Sequence, residues 1–194
     1  MEIYLKDGSG NGFSAKVTED YKLETQSVVS SLASYESERH GDAFILSTDF
    51  ISLTTTASFN GVLYVKNTES SNKSLYIEQI RVCGGLCAAA STMQVRILKN
   101  PTAGTLISDQ NAGFAENANT LSGKLFSGDF YVASADGKTI TDGAHWSNFQ
   151  GHAPGHSLEE YDGAIIIGRN DSLAIELKPS VAMSVCMEVI CYYK

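Results

Sequence analysis

Residues 75–82 read LYIEQIRV and residues 93–100 read MQVRILKN, and the alternation inside them decides the fold class. In the second stretch Met93, Val95 and Ile97 fall on one side of an extended chain and Gln94 and Arg96 on the other, because successive side chains of a strand point to opposite faces. That is the pattern of a sheet with one face on a core and one in water.

The same grammar extends in both directions. Upstream, AFILST (43–48), FISLTT (50–55) and GVLYVKN (61–67) are short and rich in branched residues. Downstream, NPTAG (100–104) is a turn by its Asn, Pro and Gly, and TLIS (105–108) is predicted to return as the next strand. Asp109 to Ser127, rich in Asn, Ala and Gly, reads as a long connection or an irregular edge. DFYVASADGKTITDG (129–143) predicts a hairpin turning on Asp136-Gly137, with Thr139 and Ile140 returning beside Val132. GAIIIG (163–168) is continuously apolar, which predicts a strand buried on both sides. After the turn GRND, SLAIELKP (172–179) sets Leu173, Ile175 and Leu177 on one face, and MSVCMEVICYY (183–193) closes the chain.

Eight to ten strands joined by turns, with almost no helix signal, predict an all-β protein: an antiparallel β-sandwich of jelly-roll type over residues 41–194. Residues 1–40 differ and are read as an extended N-terminal arm that packs on or between subunits. Within it SVVSSLASYESERHG (27–41) carries Val28, Leu32 and Tyr35 at helical spacing, with Gly41 as a stop, which predicts a short helix. No repeat at a fixed period is visible, which argues against a propeller or solenoid.

Bulk composition bounds the function. A chain of 194 residues with 43% hydrophobic residues buries a core of its own. A net charge of −8, with 14 scattered basic residues, argues against a phosphate-binding surface and so against nucleic acid as a partner. No apolar run is long enough to span a membrane, and MEIYLKDGSG lacks the apolar region of a signal peptide. The expectation is a protein that starts near Met1 and is made in a cytoplasm.

Four cysteines follow from the same compartment argument as free, mostly buried thiols. Cys83 and Cys87 bracket GGL, one residue too many for a zinc knuckle, although a bridge between them stays open. Cys186 and Cys191 are an odd number of residues apart in a strand, so they point to opposite faces.

Three stretches could carry chemistry. DGSGNG (7–12) supplies Asp7, Ser9, Asn11 and Gly12 at the first, third, fifth and sixth positions of a calcium loop. The twelfth position is Thr18 in place of the required Glu, and no helix can precede it, so the stretch reads as a flexible turn. HWSNFQGHAPGHSLEEYDG (145–163) holds His145, His152 and His156, the candidate ligands for zinc or nickel. Pro154 and Gly155 forbid a helix there, so a metal would need a loop wrapped around it; the competing reading is a protruding loop with the histidines at an interface. Trp146 and Phe149 in that loop, with Asp7, Asn11 and Phe13 near the N-terminus, are the interface candidates, the two aromatics suiting a protein or glycan contact. No nucleophile elbow, P-loop or dinucleotide fingerprint is present, so no catalytic residue and no cofactor is assigned.

Several stretches in order, MEIYLKDGSGNGFSAKVTEDYKLETQSV, GDAFILSTDFISLTT, VLYVKNTESSNKSLYIEQIRV, VRILKNPTAGTLIS and SLAIELKPS, resemble the structural virion proteins of tailed bacteriophages, marine ones in particular. The likeness spans most of the chain and is weakest from 109 to 162. It implies a β-sandwich subunit without catalytic residues, located in the virion after synthesis in the host cytoplasm. The implied function is capsid decoration: a homo-oligomer, with a trimer as one form, that binds the major capsid protein or other virion proteins. The alternative it leaves open is a neck, tail or fibre component with a receptor- or glycan-binding loop near Trp146. An enzyme or a metal-dependent protein using the 145–162 cluster is the third reading.

Overall fold

The computed structural model describes residues 4–6, 14–17, 23–24, 32–54, 56–85 and 90–194. Asp7, Asn11, Phe13 and Cys87 lie outside these residues. The chain divides into two compact units, Met1–Ser30 and Ser31–Lys194. In the first, β1 (Tyr4–Lys6), β2 (Ser14–Val17) and β3 (Leu23–Glu24) form an antiparallel sheet in which Tyr4 faces Lys16 and Val17 faces Leu23. The AKV segment therefore finds its partners within its own chain.

The second unit is all-β apart from two short helices, α1 (Leu32–His40) and α2 (Thr105–Asp109). Its strands are β4 (Ala43–Ser47), β5 (Ile51–Leu53), β6 (Asn60–Asn67), β7 (Leu75–Gly84), β8 (Ser91–Lys99), β9 (Phe114–Asn117), β10 (Gly128–Val132), β11 (Ala144–Ala153), β12 (Gly155–Ile167), β13 (Ser172–Pro179) and β14 (Met183–Tyr193). They form two antiparallel sheets, in the orders β10-β6-β13-β8-β11 and β12-β7-β14-β4-β9, with β5 paired to β14. The inward residues of both sheets, among them Leu63, Val95, Ile175, Ile77, Val82 and Val189, belong to one buried core.

The strand partners nest around the centre of the sequence. β5 pairs with β14, β6 with β13, β7 with β12 and β8 with β11. Between them, Ala112 just ahead of β9 bridges to Tyr131 of β10. Each successive pair is thus enclosed by the one before it.

The alternation in β8 plays out as the sequence foretells, with Met93, Val95 and Ile97 buried and Gln94 and Arg96 facing outward, whereas in β7 it breaks at Glu78 and Gln79, where the register to both neighbouring strands shifts. The Lys-Asn end of β6 has a further role. Asn67 is fully buried and its amide donates to the carbonyls of Lys73 (2.9 Å) and Ile167 (3.0 Å), while its side-chain oxygen accepts from the Glu69 N–H (2.9 Å). Since β6 and β12 lie in different sheets, this side chain ties the two layers together. On the outer face of the first sheet the buried Glu176 carboxylate is held by Arg96 at 2.5 Å, whose guanidinium also lies 4.1 Å from the Phe59 ring.

The helix α1 ends at Gly41, whose φ of +63° suits a residue without a side chain. Its Ala33 packs with Ala43 and Tyr192 on the second sheet, so residues 32–40 belong to the Ser31–Lys194 unit, and the contact boundary falls at residue 30 where the sequence reading divides the chain at 40.

Four expectations are corrected. TLIS is helical, not a strand: α2 seats Leu106 in the core and its N–H on the carbonyl of Thr139 (3.2 Å). The 129–143 hairpin does not form, because Lys138 and Thr139 give their carbonyls to Gly61 and Leu106 rather than to β10. GAIIIG is buried on one side only, since it runs along an edge strand where Ile165 and Ile167 point inward and Ile166 stays 45% exposed. Finally, 145–163 is not a protruding loop; it is two successive edge strands, β11 in the first sheet and β12 in the second, joined through Pro154.

Candidate functional site

The two edge strands decide where the histidines go. His145 faces Leu98 at one end of β11, whereas His152 faces Thr92 near the other. At ~3.3 Å per residue they stand roughly 20 Å apart, too far to share an ion. His156, on β12, faces Cys83 of β7. All three are exposed, and among the described residues no group of three or more His, Cys, Asp or Glu is placed to hold a metal.

Trp146 and Phe149 are half-buried and pack against the main core. Trp146 occupies an irregularity in the register between His145 and Ser147, with the Lys99 ammonium 5.3 Å from its ring. Phe149 faces Val95, on the inward side of the edge strand.

The outer face of the second sheet carries the more developed surface. Its strands align Glu160, Gln79, Ile190, Ile45 and Glu116 in one row across β12, β7, β14, β4 and β9. Above this row α1 and residues 118–121 form two walls, leaving a groove of about 830 Å³. Its floor is apolar at Ile45 and Ile190, and Glu78, Glu160 and Asp162 line it with carboxylates. At its α1 end Tyr76 and Tyr192 stack with ring centroids 5.3 Å apart, and burial, followed by the Glu78 carboxylate, pushes the Tyr192 phenol above its ordinary range.

The β9 border of this sheet is apolar and open. Leu121 and Leu125, in the segment after β9, are 95% and 88% exposed, and Phe114 on β9 and Phe50 beside β5 are 54% and 69% exposed. Because β9 is the last strand of its sheet, the outer backbone edge next to these side chains also has no strand neighbour among the described residues. The stretch 109–127 gives a weak sequence signal because its strand is only four residues long; the hint it carries is Phe114, Leu121 and the Leu125-Phe126 pair standing in an Asn, Ala and Gly background.

A hydrogen-bonded anchor holds this border in place. Asp42 is buried between Lys73 (2.5 Å) and Lys124 (2.6 Å), and Asn117 donates to the carbonyl of Gly41 at 2.8 Å. Burial pushes the Asp42 carboxyl up, but Lys124 and Lys73 outweigh it and hold the group below its ordinary value. The segment 118–127 is thereby fixed to the end of α1 instead of swinging freely.

No known family model matches the chain, and neither do any curated protein or any solved structure.

Proposed function

We propose that the chain is a non-enzymatic capsid decoration protein of a tailed bacteriophage, a homo-oligomer that binds the major capsid protein. The observation that carries this reading is the apolar border at β9: four large side chains, Phe50, Phe114, Leu121 and Leu125, exposed around one open strand edge. Isolated exposed apolar residues are ordinary, but several large ones spread along one edge strand and its flanking segments are the mark of a border that is covered in an assembly. Each leucine withdrawn from water contributes about 2 kcal/mol to such a contact.

Three further features support it. The ordered motifs resemble tailed-phage virion proteins along most of the chain. The jelly-roll form of the sandwich is supported by the nested pairing of β5 to β14, β6 to β13, β7 to β12 and β8 to β11, which is how a long hairpin rolls into two layers. The net charge of −8 suits an outer surface better than contact with packaged DNA. In this reading the Met1–Ser30 unit serves attachment, and the sandwich supplies bulk and rigidity.

Co-sedimentation tests the proposal. Purified chain mixed with shells of the major capsid protein alone is expected to pellet with them to a saturating ratio; chain that stays in the supernatant at every concentration would overturn it.

A further inference from the structure

The cysteine motif that the sequence leaves open acquires a different partner in the fold. Cys83 of β7 and Cys186 of β14 are directly opposite on adjacent strands, both half-exposed on the outer face of the sheet. The Cys83 thiol lies close enough to Cys186 to oppose its ionisation. Two residues along, the Gly85 N–H donates to the carbonyl of Ser184, which stands opposite it, at 2.6 Å. Opposed pairs alternate along an antiparallel ladder, so Cys83 and Cys186 are also a hydrogen-bonded pair, with α-carbons about 5.5 Å apart. That separation falls within the roughly 4.4–6.8 Å that a disulfide spans. Cys191 takes no part, since it is buried on the opposite face with its thiol 3.7 Å from the carbonyl of Phe44.

We propose that Cys83 and Cys186 are a redox-active pair that closes a reversible cross-strand disulfide when a small disulfide such as oxidised glutathione reaches the outer face of the sheet. In the first step the Cys83 thiolate attacks one sulfur of the small disulfide, forming a mixed disulfide and expelling one thiolate. The Cys186 sulfur then attacks the Cys83 sulfur and expels the second. Two electrons pass from the protein thiols to the small disulfide, and their two protons end on the two thiols released.

The order of attack follows from environment. Burial, and then the neighbouring Cys83, push the Cys186 thiol up, which makes it the poorer first nucleophile. Once the Cys83 sulfur is bonded it can carry no negative charge, and one opponent of Cys186 ionisation is gone. Reversibility follows from the same ladder. The β-carbons of a hydrogen-bonded pair stand about 5.5 Å apart, wider than the roughly 3.8 Å of a relaxed disulfide, so closure draws β7 and β14 together and the bond is easily reduced. This inference is independent of the virion reading, because it uses only strand register and thiol chemistry.

The test uses the full chain, reduced, desalted and equilibrated in glutathione buffers of rising oxidised fraction, then alkylated and mapped by mass spectrometry. Cys83 and Cys186 are expected to lose alkylation together, to appear as one linked peptide pair and to recover it in reduced glutathione, with Cys191 unlinked throughout. The Cys87→Ser variant is expected to form the same link, and Cys186→Ser to stop at glutathione on Cys83. A Cys83 to Cys87 link in the native chain, or both thiols alkylated at every ratio, would overturn the proposal. So would loss of the Cys83 to Cys186 link in folded Cys87→Ser.

Discussion

The Asn67 side-chain amide donates to the carbonyl of Ile167 at 3.0 Å, and this bond joins two strands that belong to different sheets. Neither partner has water to fall back on, because Asn67 is fully buried and Ile167 nearly so. Replacing Asn67 by Ala would strand the Ile167 and Lys73 carbonyls and the Glu69 N–H at once. The expected loss is about 3 kcal/mol, several times that of an exposed Asn→Ala change, measured by urea unfolding. A loss under about 0.5 kcal/mol would remove Asn67 from the role of inter-sheet tie.

Asp42 sets an acid limit. Its carboxyl is held below the ordinary value of 3.8 in the folded chain, so its contribution is fully present above that value and is lost as pH falls further, through the lower folded value. The neutral Asp42→Asn variant lacks this dependence. Unfolding midpoints followed downward from neutral pH are expected to show a steeper drop below 3.8 for the native chain than for the variant, and parallel curves would contradict the anchor.

The boundary near residue 30 makes two truncations behave differently. Removing Met1–Ser30 leaves α1 in place, and the remaining chain is expected to unfold cooperatively at close to the native midpoint. Removing residues 1–40 also strips Ala33 and Glu36, both buried, from over Ala43 and Tyr192, and is expected to lower stability by about 2 kcal/mol or more. Equal midpoints for the two would show that α1 contributes nothing to the sandwich. The shorter deletion is further expected to bind particles poorly while remaining folded.

If the β9 border is covered in the homo-oligomer, Leu121→Ser with Leu125→Ser should dissociate it. Light scattering is expected to report a shift from oligomer to monomer, with unfolding changed by no more than about 0.5 kcal/mol because both side chains are exposed. An unchanged oligomer would place the contact elsewhere.

What the sequence reveals is what one strand decides alone. Met93, Val95 and Ile97 alternate with Gln94 and Arg96 because β8 has a core face and an outer face, and the helix stop at Gly41 is local backbone chemistry. What it conceals depends on partners far along the chain. Asp136-Gly137 does turn, with Gly137 at φ +77°, but the following backbone is claimed by Gly61 and Leu106. Residues 145–162 look like a loop because edge strands exposed on one face tolerate His, Asn and Glu where interior strands do not. The pairing of Cys83 with Cys186 is a matter of register, which no spacing within either strand discloses.

The central claim is that this chain coats a capsid, and quantitative mass spectrometry of purified virus particles from its source tests that claim most directly. The expected result is a copy number in fixed proportion to the major capsid protein, as a lattice of binding sites demands. A few to a few dozen copies per particle would move the protein to the neck or tail, and its absence from particles would contradict the virion reading altogether.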